Sequence, residues 1–253
     1  MIRLNRAGKQ LVNPLFLGVI FFIGSVMTSE NGYAQQADLV AADASAGQQK
    51  SSTCQGCHGV DGNSYADNWP NLASQHASYI EKQIRNFQSG KRQDPTMTSM
   101  VVGLSEQDIA DIAAYFSQQA IVASPAVLVE NNLLSNGRKI YKGGNLYSGV
   151  PACSGCHGPN GVGIGPSKFP VLAGQKIDYL TKTLRDFRNS TRNNDPRSIM
   201  QNISARMTDK EITSVATYIN SLAADNTNRQ ANVAPTEDVN SEERDRLVSV
   251  QKR

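Results

Sequence analysis

Two pentads of one kind, Cys54-Gln55-Gly56-Cys57-His58 and Cys153-Ser154-Gly155-Cys156-His157, hold every cysteine of the chain and two of its three histidines. Residues i, i+3 and i+4 of a helical turn share a face, so each pentad can present both thiols and an imidazole to one planar macrocycle. This is the requirement for attaching a c-type haem: each Cys forms a thioether to a vinyl group, and His58 or His157 becomes the proximal iron ligand. The competing chemistries for Cys-x-x-Cys are a zinc half-site, a redox dithiol and a local disulfide. A redox dithiol has no need of a His directly after the second Cys. Two complete pentads that consume every thiol favour haem.

The sixth ligand decides whether an iron is open for chemistry or closed for electron transfer. His76 is matched in the other half by Lys176, so it reads as an exposed residue at a helix start. Methionine is the remaining soft neutral donor. Met97 lies eight residues before Ser105, and Met200 eight before Thr208, where Ser105/Asp108 and Thr208/Glu211 have the spacing of a capping box that opens a helix. That shared register selects Met97 and Met200 as iron ligands. Met100 and Met207, which pair with Ile203 and Leu104, read as core filler.

The elements that must position these groups are duplicated. Pro70, Leu72, Ala73 and Gln75 recur as Pro170, Leu172, Ala173 and Gln175. Tyr79, Ile80, Ile84 and Phe87 recur as Tyr179, Leu180, Leu184 and Phe187, the stripe of an amphipathic helix. Asp94-Pro95 recurs as Asp195-Pro196, a turn signal. The closing helices carry Ile109, Ile112, Ala113 and Phe116, and Ile212, Val215, Ala216 and Ile219. The chain is a tandem duplication. Each copy reads as an early helix ending in the pentad, a loop, a middle helix, a Met-containing loop and a closing helix. The expected architecture is all-α, with copies at 35–123 and 124–224, a linker over 121–132 and an insertion at 142–151 of the second copy. From 225 to 253 the chain is polar and charged without periodicity and reads as a disordered tail.

A chain of 253 residues suits two domains of this size. Aromatic residues make up only 6%, so an enclosed porphyrin would supply much of each core's apolar volume. The N-terminus places Arg3, Arg6 and Lys9 before an apolar run from Leu15 to Met27 and small residues near Ala34. That order is a secretory signal over 1–34, and the run is shorter than the roughly 20 residues that span a bilayer. Charge is divided unevenly: residues 35–123 carry five Lys or Arg against nine Asp or Glu, and residues 124–224 carry twelve against six.

With both pentads, Asn68-Trp69-Pro70-Asn71-Leu72-Ala73, Lys168-Phe169-Pro170-Val171-Leu172-Ala173, the registered methionines and Asp111-Ile112-Ala113-Ala114-Tyr115-Phe116, the chain resembles the dihaem cytochrome c4 family, a tandem of class I cytochrome c units. The resemblance covers about 37–222. It implies two covalently held haems whose propionates face one another, export to the periplasm and electron donation toward a terminal oxidase. It also implies that Pro70 and Pro170 offer their carbonyls to His58 and His157. The partners would be a redox donor and acceptor, such as membrane-associated respiratory complexes, with no nucleic acid and no small-molecule substrate. Two other readings stand beside the carrier: the dihaem subunit of a dehydrogenase such as flavocytochrome c sulfide dehydrogenase, and a dihaem peroxidase. A peroxidase needs an open iron face, which two Met ligands would deny.

Overall fold

The computed structural model describes residues 41–122 and 131–232. Each of its two copies is a set of helices laid over one long closing helix. The first copy contains α1 (Ala44–Lys50), α2 (Ser52–His58), α3 (Ala77–Gln88), α4 (Pro95–Val101) and α5 (Glu106–Gln118). The second contains α6 (Asn131–Gly143), α7 (Ser154–His157), α8 (Ile177–Arg188), α9 (Ile199–Ser204) and α10 (Asp209–Asn232). Among the described residues the only strand-like pairings are the antiparallel bridges Asn145–Val150 and Ile164–Phe169.

Both closing helices start where the capping boxes place them. Ser105 Oγ accepts the Asp108 N–H at 3.2 Å and Asp108 accepts the Ser105 N–H at 3.0 Å. Thr208 Oγ1 and Glu211 exchange the same pair of bonds at 3.2 and 2.8 Å. The middle helices bury the predicted faces. Ile80, Ile84 and Phe87 of α3 pack with Ile109, Ile112 and Phe116 of α5, and Leu180 and Leu184 of α8 pack with Ile212, Val215 and Ile219 of α10. Burying side chains of this kind is worth about 1.5–3 kcal/mol each.

The early helices cross the closing helices through glycine. A Cβ on Gly47 would lie 2.0 Å from the Asp111 carbonyl oxygen, and one on Gly137 would lie 1.9 Å from that of Ser214. Only glycine lets the two backbones approach so closely.

Several expectations need correction. The methionine segments are helical: Met97 lies in α4 and Met200 in α9, because Asp94 and Asp195 hold the first turn. Met100 is 50% exposed and is not core filler, whereas Met207, at 5%, is. Tyr79 and Tyr179 leave the apolar stripe and turn their hydroxyls to the opposite copy. In the first copy a break at Ser51 divides the early helix, and in the second a loop separates α6 from α7. The linker yields to helix at Asn131, and α10 continues to Asn232, beyond the expected onset of the tail at 225. The signal segment and residues 233–253 lie outside the described residues.

Candidate haem sites

In each copy a short helix presents the pentad and a tight loop brings an acceptor to its histidine. Cys54, Cys57 and His58 lie on α2, while Cys153 caps α7, which carries Cys156 and His157. In neither pentad are the two cysteines joined as a disulfide. His58 Nδ1 is 2.8 Å from the Pro70 carbonyl and His157 Nδ1 is 3.1 Å from that of Pro170. A carbonyl only accepts, so Nδ1 carries the proton in both rings and Nε2 is the nitrogen left to meet a metal. Burial lowers both imidazole pKa values, against the opposing pull of the proline carbonyls. The rings are therefore neutral, as a metal ligand requires. Burial raises the Cys54 thiol and pushes Cys153 up to about 11. A redox dithiol needs the opposite shift. Among the described residues, no three His, Cys, Asp or Glu side chains converge as a zinc site would demand.

The loop after each pentad is built around a glycine four residues beyond the histidine. Gly62 and Gly161 have φ of +79° and +74°. The Gly62 carbonyl accepts from the Leu72 and Ala73 N–H groups at 2.7 and 3.1 Å, and the Gly161 carbonyl accepts from Leu172 and Ala173 at the same distances. This closure sets the proline carbonyl beside the histidine. A side chain on Gly62 or Gly161 would meet the Ala73 or Ala173 nitrogen at 2.7 or 2.9 Å. Sequence reasoning did not single out these glycines, although His-Gly-x-x-Gly follows both pentads.

The methionines are held alike despite different local chain lengths. Asp94 accepts the Met97 N–H at 3.0 Å, and Asp195 accepts the Met200 N–H at 2.7 Å. Two extra residues intervene in the second copy. Arg197 and Ser198 absorb them in a 3-10 turn, with φ of +56° and +53°. Met97 and Met200 each pack against the core of their own copy.

The copies meet across a seam with approximate two-fold character. Gln175 donates to the Asn71 carbonyl and accepts the Asn71 N–H, at 3.0 and 2.7 Å. Gln75 does the same with Val171, at 2.9 Å for both bonds. Arg92 donates to the Tyr179 hydroxyl and Arg192 to that of Tyr79, at 3.1 and 3.0 Å. Each guanidinium also lies over the phenylalanine of its own middle helix. Lys82 donates to the Asn194 carbonyl at 2.9 Å. Burial and the neighbouring Arg192, Arg92 and Lys168 lower its pKa to about 8. The seam is thus rich in cations and fits anionic groups. His76, expected to be exposed, caps α3 against this seam. Its Nε2 is buried without a partner, and its ring faces Gly165 of the second copy.

A family model for cytochrome c matches residues 44–120 and 134–223. Cytochrome c4 of Pseudomonas aeruginosa is 46% identical over 183 residues, spanning 72% of this chain and 90% of that protein. A thiosulfate dehydrogenase electron acceptor of Thiomonas intermedia is 32% identical over 171 residues, spanning 67% and 78%. The crystal structure of reduced recombinant cytochrome c4 from Pseudomonas stutzeri superposes with a TM-score of 0.67 at 42% identity, covering 72% of this chain and 99% of that one. Two pentads on matching helices, each with a neutral, carbonyl-oriented histidine, fit two covalently held c-type haems. The chain belongs to the cytochrome c4 family of dihaem electron carriers.

Proposed function

We propose that both irons are six-coordinate, with His58 and Met97 in the first copy and His157 and Met200 in the second. The protein then carries electrons in the periplasm to a membrane-bound terminal oxidase. The observation that carries the ligand assignment is the common hold on the two methionines: an Asp–Pro carboxylate receives the backbone N–H of each, across different chain lengths. When bound, each haem supplies an iron that gains or loses one electron, and Met ligation with burial favours the reduced form. The Pro70 and Pro170 carbonyls fix the two imidazoles, so little in either site needs to move when charge changes. Arg92, Arg192 and Lys82 support the reading in which the propionates meet at the seam, because these cations would compensate carboxylates there. A redox titration followed by visible and near-infrared spectra tests the assignment. Two haems with thioether-to-ferric-iron absorption are expected, and a site lacking that band would refute it. Cyanide-sensitive oxidation by the cell's own membranes tests the acceptor.

A second reading has the chain serve a dehydrogenase as its electron-accepting partner. The likeness to a thiosulfate dehydrogenase electron acceptor supports it. Stoichiometric co-purification with a dehydrogenase from native cells would favour this reading, and free migration of the dihaem protein would oppose it.

A further inference from the structure

The insertion before the second pentad is a rigid hairpin with an apolar tip. Asn145 and Val150 exchange both backbone hydrogen bonds, at 2.8 and 3.0 Å. Gly144 and Gly149 make the corners at φ of +73° and +70°. The polar base is tied down from several sides. Glu211 of α10 accepts from the Asn145 amide at 2.7 Å and from the Ser148 hydroxyl at 3.3 Å, Arg206 donates to the Gly149 carbonyl at 2.9 Å, and Val150 is buried. Yet the two residues at the tip, Leu146 and Tyr147, are 97% and 103% exposed. Single exposed apolar residues are ordinary. An adjacent Leu-Tyr pair, raised on a hairpin whose Asn145 amide, Ser148 hydroxyl and Gly149 carbonyl are bonded to α10 and to the segment before it, is an ordered apolar projection. The first copy has no counterpart, since Ser51 links α1 directly to α2.

The ground around the tip is cationic. Lys142 is exposed at the end of α6, with Arg138 and Lys139 exposed one turn earlier, and Arg206 abuts Gly149. Glu211 faces inward, bonded to the hairpin and to the Thr208 N–H. The hairpin also leads within three residues to Cys153, so the tip is raised on the segment that enters the second pentad.

We propose that the Leu146–Tyr147 tip is the docking element through which the second copy engages its electron acceptor, a protein with an apolar recess on an acidic face. This rests on the carrier reading and adds where the acceptor binds. Ordered aromatic and aliphatic anchors at a contact's centre carry most of its binding energy, while surrounding charges set the encounter rate.

The test uses the full dihaem protein, reduced with ascorbate, and inner-membrane vesicles from the cells that make it. Oxidation in air is followed with and without cyanide. L146S/Y147S should slow oxidation at limiting protein on the order of tenfold. Its spectrum, both potentials and its oxidation by tris(phenanthroline)cobalt(III) should be unchanged. Lys142→Glu should slow oxidation several-fold at low salt, with the deficit closing as salt rises. A tip variant oxidised as fast as the parent overturns the proposal. A slowed variant whose parent reacts insensitively to cyanide supports the docking tip and overturns only the terminal-oxidase reading.

Discussion

The two copies solve one packing problem with different chemistry. In the first, α1 is bound to α5 by charge: the buried Asp111 carboxylate accepts from the Asp43 N–H at 2.8 Å, from Lys50 at 2.7 Å and from Gln107 at 2.8 Å. Lys50 also pairs with Asp108 at 2.8 Å. In the second, Ser214 stands where Asp111 would be, and its hydroxyl is buried without a partner. Ile140 and Tyr141 fill that crossing instead, with the Tyr141 hydroxyl donating to the Gly158 carbonyl at 2.7 Å. In the first copy the tyrosine bound just after the pentad is Tyr115 of α5, whose hydroxyl donates to the Val60 carbonyl at 2.7 Å. The pentad loops and Asp–Met contacts stayed alike while their supports diverged. The placement of the histidines and methionines is therefore what the two copies share, and the means of bracing it differs.

The largest effect expected is at the pentads. Replacing both cysteines of either pentad by alanine should remove one haem, lowering the haem-to-protein ratio from two to one, and leave that copy poorly folded by circular dichroism. Denatured parent protein should retain both haems. A stable, fully helical variant would show that the bracing alone supports the fold.

The next test asks whether the copies ligate alike. Met97→Leu and Met200→Leu should each remove about half of the near-infrared thioether band, consistent with one soft axial donor per iron, and the double variant nearly all of it. Loss of the band in Met100→Leu or Met207→Leu instead would mean that the common register is misleading.

The bracing should respond unequally to matched substitutions. Asp111→Asn loses charge-assisted bonds and should cost about 2 kcal/mol in chemical denaturation. Ser214→Ala should be neutral or slightly stabilising, since it removes a buried hydroxyl with no partner. The Asp43 N–H and Lys50 lower the Asp111 pKa. Its contribution is therefore complete above the unfolded carboxylate value, about 4, and is lost as pH falls below it toward the folded value. Asp111→Asn should flatten that acid limb.

The smallest effect is electrostatic. The second copy carries twelve Lys or Arg against six Asp or Glu, the first five against nine. A positive surrounding favours the reduced iron, so the haem at His157 should have the higher potential, by some tens of millivolts on the order expected for screened surface charge. Titrating the two Met variants beside the parent assigns the potentials. A higher value at the first haem, or a gap indifferent to salt, would refute the charge account.

The haem chemistry, the duplication, the buried stripes and the capping boxes were legible because each depends on residues near in sequence. A thiol pair and a histidine within five residues, or a hydroxyl and a carboxylate three apart, meet through local helical geometry whatever the rest of the chain does. The glycine crossings at Gly47 and Gly137 and the paired bonds of Gln75 and Gln175 were not legible. The same holds for the reach of Arg92 and Arg192 to the opposite tyrosines and for the turning of His76 into the seam. Their partners lie in other elements, in several cases about a hundred residues away, and come together only after both copies have folded. Sequence by itself determined what each copy binds and how its helices begin. Tertiary packing alone decided how the two copies meet, which polar groups that contact buries, and which apolar tip it leaves on the surface, since those depend on distances between elements that no local spacing encodes.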